Sequence, residues 1–295
     1  VSPHYLEPLF LRLTEGRWYS YADLRKILND SGLAVQGRDI VQYNAAVWSL
    51  VRLVETRSEI EGRSKVNYIQ LTSLGRQIID TYGTNQPLFY DIIHFLFYSS
   101  WQRSLNLKWA RLWLYQRVCD VLWDEAPAKT DIKALTIRLQ SESRLAFPAH
   151  LPSFPNRSVG AVFPWLGALK PAFLAPSGNR NQLFSERRSH CTPQLFHLAI
   201  DLLYTTNDLR YGTPVAVSDE RIQAICRTCL LDTERFWSMA ELTQMSIRGF
   251  EIKRGQWATS ITLAGPPNWI SLPDFSDETD DSGLDGEEEE GEDEQ

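Results

Sequence analysis

The sequence is short of the residues that most often carry chemistry. Four cysteines, five histidines and two methionines are spread over 295 positions. Cys119, Cys191, Cys226 and Cys229 are too few and too unevenly spaced for a disulfide framework, so reduced thiols are expected. Cys226 and Cys229 have the C-x-x-C interval, with His190 and Cys191 upstream as conceivable further zinc ligands. Their flanks, Arg221 to Ile225 and Leu230-Leu231, read as helix, whereas structural zinc sites usually place such a pair on a tight turn. Packed thiols are the preferred reading, with no metal. The histidines, His4, His94, His150, His190 and His197, have no carboxylate or nucleophile at a telling interval. There is no glycine-rich phosphate loop, no H-E-x-x-H and no G-x-S-x-G. No enzyme and no cofactor is expected.

Long apolar runs are also missing. Leu88 to Tyr98 is interrupted by Asp91 and His94, well short of the roughly 18–20 residues that span a bilayer. The first residues lack a basic, then apolar, then small-residue pattern, which leaves the cytoplasm as the expected location. The formal charge of −7 misleads. Twelve of the 37 carboxylates fall in residues 276–295, which hold no Lys or Arg, leaving 25 against 30 basic side chains in residues 1–275. The folded part is mildly basic, a balance that permits nucleic-acid binding.

What is present is an alternation of short amphipathic stretches. His4 to Leu13 suits a first helix through Tyr5, Leu6, Leu9, Phe10 and Leu13. Ser20-Tyr21-Ala22-Asp23 has the capping-box interval, starting a second helix that Asn29-Asp30-Ser31-Gly32 ends. Residues 38–54 make a third. On a helical projection Ile40, Tyr43, Val47, Leu50, Val51 and Val54 fall inward, and Arg38, Gln42, Ala45, Ala46, Ser49 and Arg52 outward. The outward face is polar without being bulky, as a helix in a DNA major groove must be; the plain alternative is a solvated face. Glu55 to Ile60 and Val66 to Leu71 then alternate as strands around a polar tip, Glu61 to Lys65. Leu71-Thr72-Ser73-Leu74-Gly75-Arg76 opens a further helix.

Helix, helix, helix, basic hairpin, helix over about residues 5–82 resembles the winged-helix superfamily, whose bacterial members often have a strand-to-helix exit like residues 71–76. The resemblance implies that the third helix reads double-stranded DNA through Arg38, Gln42, Ser49 and Arg52. It also implies that Arg63 and Lys65, with Arg57, touch phosphates from the wing. The alternative for Arg57 and Arg63 is pairing with Glu59 and Glu61. Winged helices also serve as protein-docking modules.

Further along, Phe89, Phe95, Phe97, Trp101, Trp109, Trp113, Tyr115 and Trp123 sit at helical intervals in about 87–102 and 106–124. They read as a packed middle rather than a base-stacking platform. Asp131 to Arg144 is amphipathic, and Ser158 to Leu169 with the polar tip 176–181 loosely echoes the first module, with a kink or a shortened helix expected at Pro164. A third copy follows in Pro193 to Leu209, a helix capped at Ser218, Glu234 to Ile247, and a hairpin with its tip at Arg254-Gly255-Gln256. Lys253 and Arg254 stand where a wing would touch phosphate. Glu234 and Glu241 beside them favour a protein-facing or structural copy.

The expected fold is therefore mainly α with short β-hairpins, an α+β class of tandem winged-helix-like modules around an aromatic helical middle. The boundaries are 1–85 for the DNA-binding module, 86–190 for the helical middle with its degenerate repeat, 191–275 for the C-terminal module and 276–295 for a disordered acidic tail. The tail's charge would let it occupy the basic face in the absence of DNA. The expected role is a prokaryotic DNA-binding regulator or DNA-associated factor. The alternative is a non-enzymatic subunit of a DNA-processing, defence or chromosome-organising complex, which docks proteins or itself through the aromatic middle and the C-terminal module.

Overall fold

A computed structural model of the chain describes residues 3, 9–32, 39–103, 110–147, 156–177, 181–255 and 258–272. It begins to take shape at β1 (Trp18–Ser20), which runs straight into α1 (Tyr21–Asp30) because Ser20 and Asp23 form the expected capping box. The Ser20 hydroxyl accepts from the Asp23 N–H at 3.1 Å, and the Asp23 carboxylate accepts from the Ser20 N–H at 3.1 Å. Next come α2 (Asp39–Leu50), β2 (Val54–Glu61) and β3 (Ser64–Leu71). The hairpin turns on Gly62 and Arg63 alone, tighter than the expected tip, and Gly62 takes φ +64°.

The same order of strand, helices and hairpin occurs twice more. After the long helices α3 (Ser73–Thr84), α4 (Gln86–Arg103) and α5 (Ala110–Glu125) come β4 (Ala128–Asp131), α6 (Ile132–Ala146), α7 (Asn156–Gly160), α8 (Phe163–Ala168), β5 (Leu174–Pro176) and β6 (Gln182–Ser185). Then α9 (Pro193–Thr206) precedes β7 (Val215–Ala216), α10 (Asp219–Cys229), α11 (Phe236–Ser246), β8 (Phe250–Arg254) and β9 (Thr259–Leu263). In each sheet the first strand pairs with the return strand of the hairpin, all antiparallel: β1-β3-β2, β4-β6-β5 and β7-β9-β8. In each, a polar residue caps the helix that follows the first strand: Ser20, then Asp131 accepting from Ala134 N–H at 2.9 Å, then Ser218 accepting from Arg221 N–H at 3.4 Å. The fold is thus mainly helical with small antiparallel sheets, in the α+β class.

The buried apolar side chains of the three sheets and the middle helices form one connected core. Its axis is α4, buried from Asp91 to Ser100 and packed on α3, α5, α8, α9 and α10. Phe89, Phe95, Phe97, Trp113, Tyr115 and Trp123 are all buried there as packing. No helix among the described residues is long and apolar enough to cross a membrane.

Several expectations are corrected. Phe10–Arg12 is a single 3-10 turn, and residues 4–8 lie outside the described residues. Pro164 stands in the first turn of α8, where its missing N–H has no helical partner to lose, so of the two expectations the shortened helix holds and the kink does not. The third helix stops at Leu50, not at residue 54; Val47, with Val51 and Val54 beyond the helix end, is inside as expected, but the buried side is wider than expected. Val41, Asn44, Ala45, Val47 and Trp48 are inside, so Ala45 belongs to the core rather than the outward face. Trp48 decides this. The largest apolar side chain of the helix packs its ring against Phe10 at 4.5 Å between centroids, which brings its side of the helix into the core as well. Arg38, Trp109 and the tail 276–295 lie outside the described residues, as do the side chains of Ile40, Gln42 and Tyr43.

Candidate functional site

The C-terminal end of α2 is closed by two hydrogen bonds. Leu53 N–H reaches back to Trp48 C=O at 2.9 Å, and Arg52 N–H to Ser49 C=O at 3.0 Å, while Arg52 takes φ +54°. These are the 6→1 and 5→2 bonds of a Schellman motif, with Arg52 in the left-handed position usually given to glycine. Arg52 is therefore not on the face of the third helix, as its spacing suggested. It is exposed on the turn after the helix. The Ser49 hydroxyl donates to Ala46 C=O at 2.9 Å.

Thr72 fastens this turn to the start of α3. Its N–H donates to Leu53 C=O at 3.1 Å and its hydroxyl to Arg52 C=O at 2.7 Å, and the same hydroxyl accepts from Gly75 N–H at 3.0 Å as the helix cap. The approach is close enough that a Cβ on Gly75 would lie 2.2 Å from the Leu53 carbonyl oxygen. The result is an open groove of about 570 Å³ lined by Ser49, Arg52, Glu55, Thr56, Thr72 and Ser73, with Ser271 from the far end of the chain on its wall. Two of the nine sequence-predicted residues, Ser49 and Arg52, meet here.

Of the others, Arg57 and Lys65 are distributed by the two-residue period of the hairpin strands, and Arg63 stands in their turn. Val54, Thr56, Ser58 and Ile60 pair with Leu71, Ile69, Asn67 and Lys65, so Lys65 lies on the sheet face whose base is packed against the helices. Beside it Ile60 is 83% exposed, and Arg63 occupies the exposed turn. Arg57 is on the opposite face with Glu55, Glu59 and Glu61. It pairs with Glu59 at 3.2 Å and lies over the rings of Trp18 at 4.2 Å and Tyr68 at 5.5 Å. Tyr68 donates its hydroxyl to Glu61, and that bond holds its ionisation above the ordinary tyrosine value. Arg57 thus serves the rear of the hairpin. In the third copy Lys253 pairs with Glu251 at 3.3 Å and Arg254 with Glu241 on α11.

The groups that could carry other chemistry are in the interior. His94 is completely buried, with Nε2 at 2.9 Å from Thr228 C=O and Nδ1 at 3.0 Å from the Tyr115 hydroxyl. Because a carbonyl can only accept, Nε2 carries the proton and the Tyr115 hydroxyl donates to Nδ1. Burial lowers the His94 pKa to about 3 and that of His197 to about 4. Asp91 and Arg188, both fully buried, pair at 2.8 Å. The Asp91 carboxylate also accepts from Thr192 N–H at 2.8 Å, and Arg188 donates to Lys170 C=O at 2.9 Å. Cys226 and Cys229 lie on α10 as packed thiols, and burial pushes both up, away from the thiolate a metal needs. Among the described residues, no three His, Cys, Asp or Glu side chains are placed to hold a metal ion.

Sequence reasoning missed the groove itself. Thr72 and Ser73 had a visible signal, adjacent hydroxyls between a strand and a helix. Ser271 had none, because nearly two hundred residues separate it from α3. No protein-family model and no curated protein matches the chain. Among solved structures, that of SspB is similar, with a TM-score of 0.56 over 85% of this chain and 83% of that one, at 13% sequence identity. A likeness at that identity is one of fold.

Proposed function

We propose that the three strand–helices–hairpin copies are winged-helix modules, and that the chain binds double-stranded DNA through the first. The α2 end with Ser49 and Arg52 would lie along the duplex, and Arg63 and Lys65 on the hairpin would neutralise phosphates. One observation supports this above the rest. Arg63 and Lys65 have no ion pair among the described residues, whereas the matching cations of the third copy, Lys253 and Arg254, are each held by a carboxylate. The strand order also agrees, since a winged helix sets its first strand against the return strand of the wing. The protein would act in the cytoplasm as a regulator or DNA-associated factor.

A second reading is favoured by apolar side chains left on the later copies. Met245 is 78% exposed on α11 with Leu242 beside it, and Ile137 and Leu145 are exposed on α6. These faces suit protein docking, so the second and third copies would join the DNA-bound first copy to a larger assembly.

Titration of a labelled random duplex at two salt concentrations tests the main reading. Neutralising four to six phosphates gives log K against log salt a slope of about −4 to −5. Arg63→Ala with Lys65→Ala should remove about two units of that slope, and Lys253→Ala with Arg254→Ala none. Binding that is absent, or insensitive to salt, refutes it.

A further inference from the structure

After β9 the chain turns back across the molecule and ends its described course at the groove. Trp269 donates its indole N–H to His197 Nδ1 at 3.3 Å, Ile270 is buried, and Ser271 N–H donates to Gln77 Oε1 on α3 at 3.3 Å. Ser271 itself forms part of the groove wall with Arg52, Thr72 and Ser73. Beyond Leu272 come 23 more residues, of which the last twenty, 276–295, hold twelve carboxylates and no cation.

We infer that residues 276–295 dock along this groove and the adjoining hairpin and compete there with duplex DNA. The inference rests on the reading of the first copy as the DNA-binding one. Four Cα-to-Cα steps lead from Leu272 to Ser276, a reach of at most about 14 Å, so the polyanion begins close to Arg52. β2 carries the surface from the groove at Val54–Thr56 to the tip at Glu61, about 20–25 Å at strand rise. A twenty-residue tail spans about 65 Å when extended, enough to meet Arg52, Arg63 and Lys65 together. The carboxylate of the lining, Glu55, disfavours its own side of the groove and directs the tail toward Arg52. Tethering supplies what a loose electrostatic contact lacks. A short tether gives an effective concentration on the order of millimolar, so a millimolar contact is already substantially populated. Duplex DNA, with a denser line of charge, displaces it.

The test uses the full chain with Ser58→Cys and Gln295→Cys carrying a donor and an acceptor dye. The four native thiols are buried and stay unlabelled. Energy transfer is read without DNA from low to high salt. A docked tail is released by salt and its transfer efficiency falls, whereas a free polyanion is screened, contracts and gains efficiency. The same decrease should appear at low salt with Arg52→Glu, or with Glu287→Gln, Glu288→Gln, Glu289→Gln and Glu290→Gln combined. That neutralised tail should also tighten duplex binding about 5- to 10-fold at low salt, with no difference at high salt. Transfer that rises with salt and ignores both sets of substitutions overturns the inference, as does equal duplex affinity of the two tails. Release by salt in a protein that binds no duplex would leave the docking standing and remove the DNA reading instead.

Discussion

Replacing Arg52 by glycine separates the fold from the function at one residue. At φ +54° a non-glycine residue is about 1–2 kcal/mol less favourable than glycine, and glycine returns about 0.5–1 kcal/mol of that through its greater freedom in the unfolded chain. The backbone contribution of Arg52→Gly is therefore a stabilisation of about 0.5–1 kcal/mol, worth about 1–3 °C in melting temperature for a chain of this size. Duplex binding should move the other way, weakening about 5- to 10-fold, or about 1–1.4 kcal/mol, with a salt slope shallower by about one unit. Asp208 is the control. It is exposed at φ +50°, in a turn closed by Leu209 N–H to Tyr204 C=O at 2.8 Å. Asp208→Gly should give a similar stabilisation and unchanged DNA affinity. Calorimetry and fluorescence anisotropy on the two variants give both readings. A loss of stability in Arg52→Gly would mean that the side chain holds the fold, and unchanged affinity would remove Arg52 from the interface.

Other outcomes follow from the interior. Gly75→Ala should destabilise by about 1–3 kcal/mol or more, since the new methyl meets the Leu53 carbonyl oxygen at 2.2 Å and a backbone cannot swing aside as a side chain can; a chemical denaturation midpoint equal to wild type would contradict this. Asp91→Ala leaves the fully buried Arg188 guanidinium without its charge partner and should cost about 3–5 kcal/mol, read in the same assay. Stability should also fall with acid before the carboxylates titrate. His94 has a folded pKa of about 3 and His197 of about 4 against an unfolded 6.5, so their contribution is complete above about pH 6.5 and is lost as pH falls through the interval below it. Each removes about 1.4 kcal/mol per pH unit there. His94→Gln should roughly halve the slope between pH 6 and 5, and a wild-type midpoint constant over that range would be the contrary result.

Local signals in the chain correspond to local features of the fold. Ser20 with Asp23, Ser218 and Thr72 start helices because a side-chain oxygen beside an open helix end satisfies an N–H that has no other partner, whatever the rest of the molecule does. The alternating runs on either side of Gly62 form a hairpin for a similar reason. The third helix was legible as a helix but not in the full extent of its buried side. Val47 is buried as its spacing suggested, and Val41, Ala45 and Trp48 are buried as well because Trp48 packs against Phe10. A helical projection assumes that the helix continues, so it placed Arg52 on a face when the chain had already turned.

Composition and short-range order by themselves determined the helical character, the caps, the hairpins and the separation of a mildly basic body from an acidic end. These depend on bonds and turns among near neighbours. Tertiary packing alone decided that Ala45 and Trp48 of α2 are buried beside Val47, that Asp91 meets Arg188 and His94 meets Thr228, and that Ser271 lies beside Gln77 at the groove. The last three contacts join segments about a hundred residues apart or more, and only burial of a shared core brings them together.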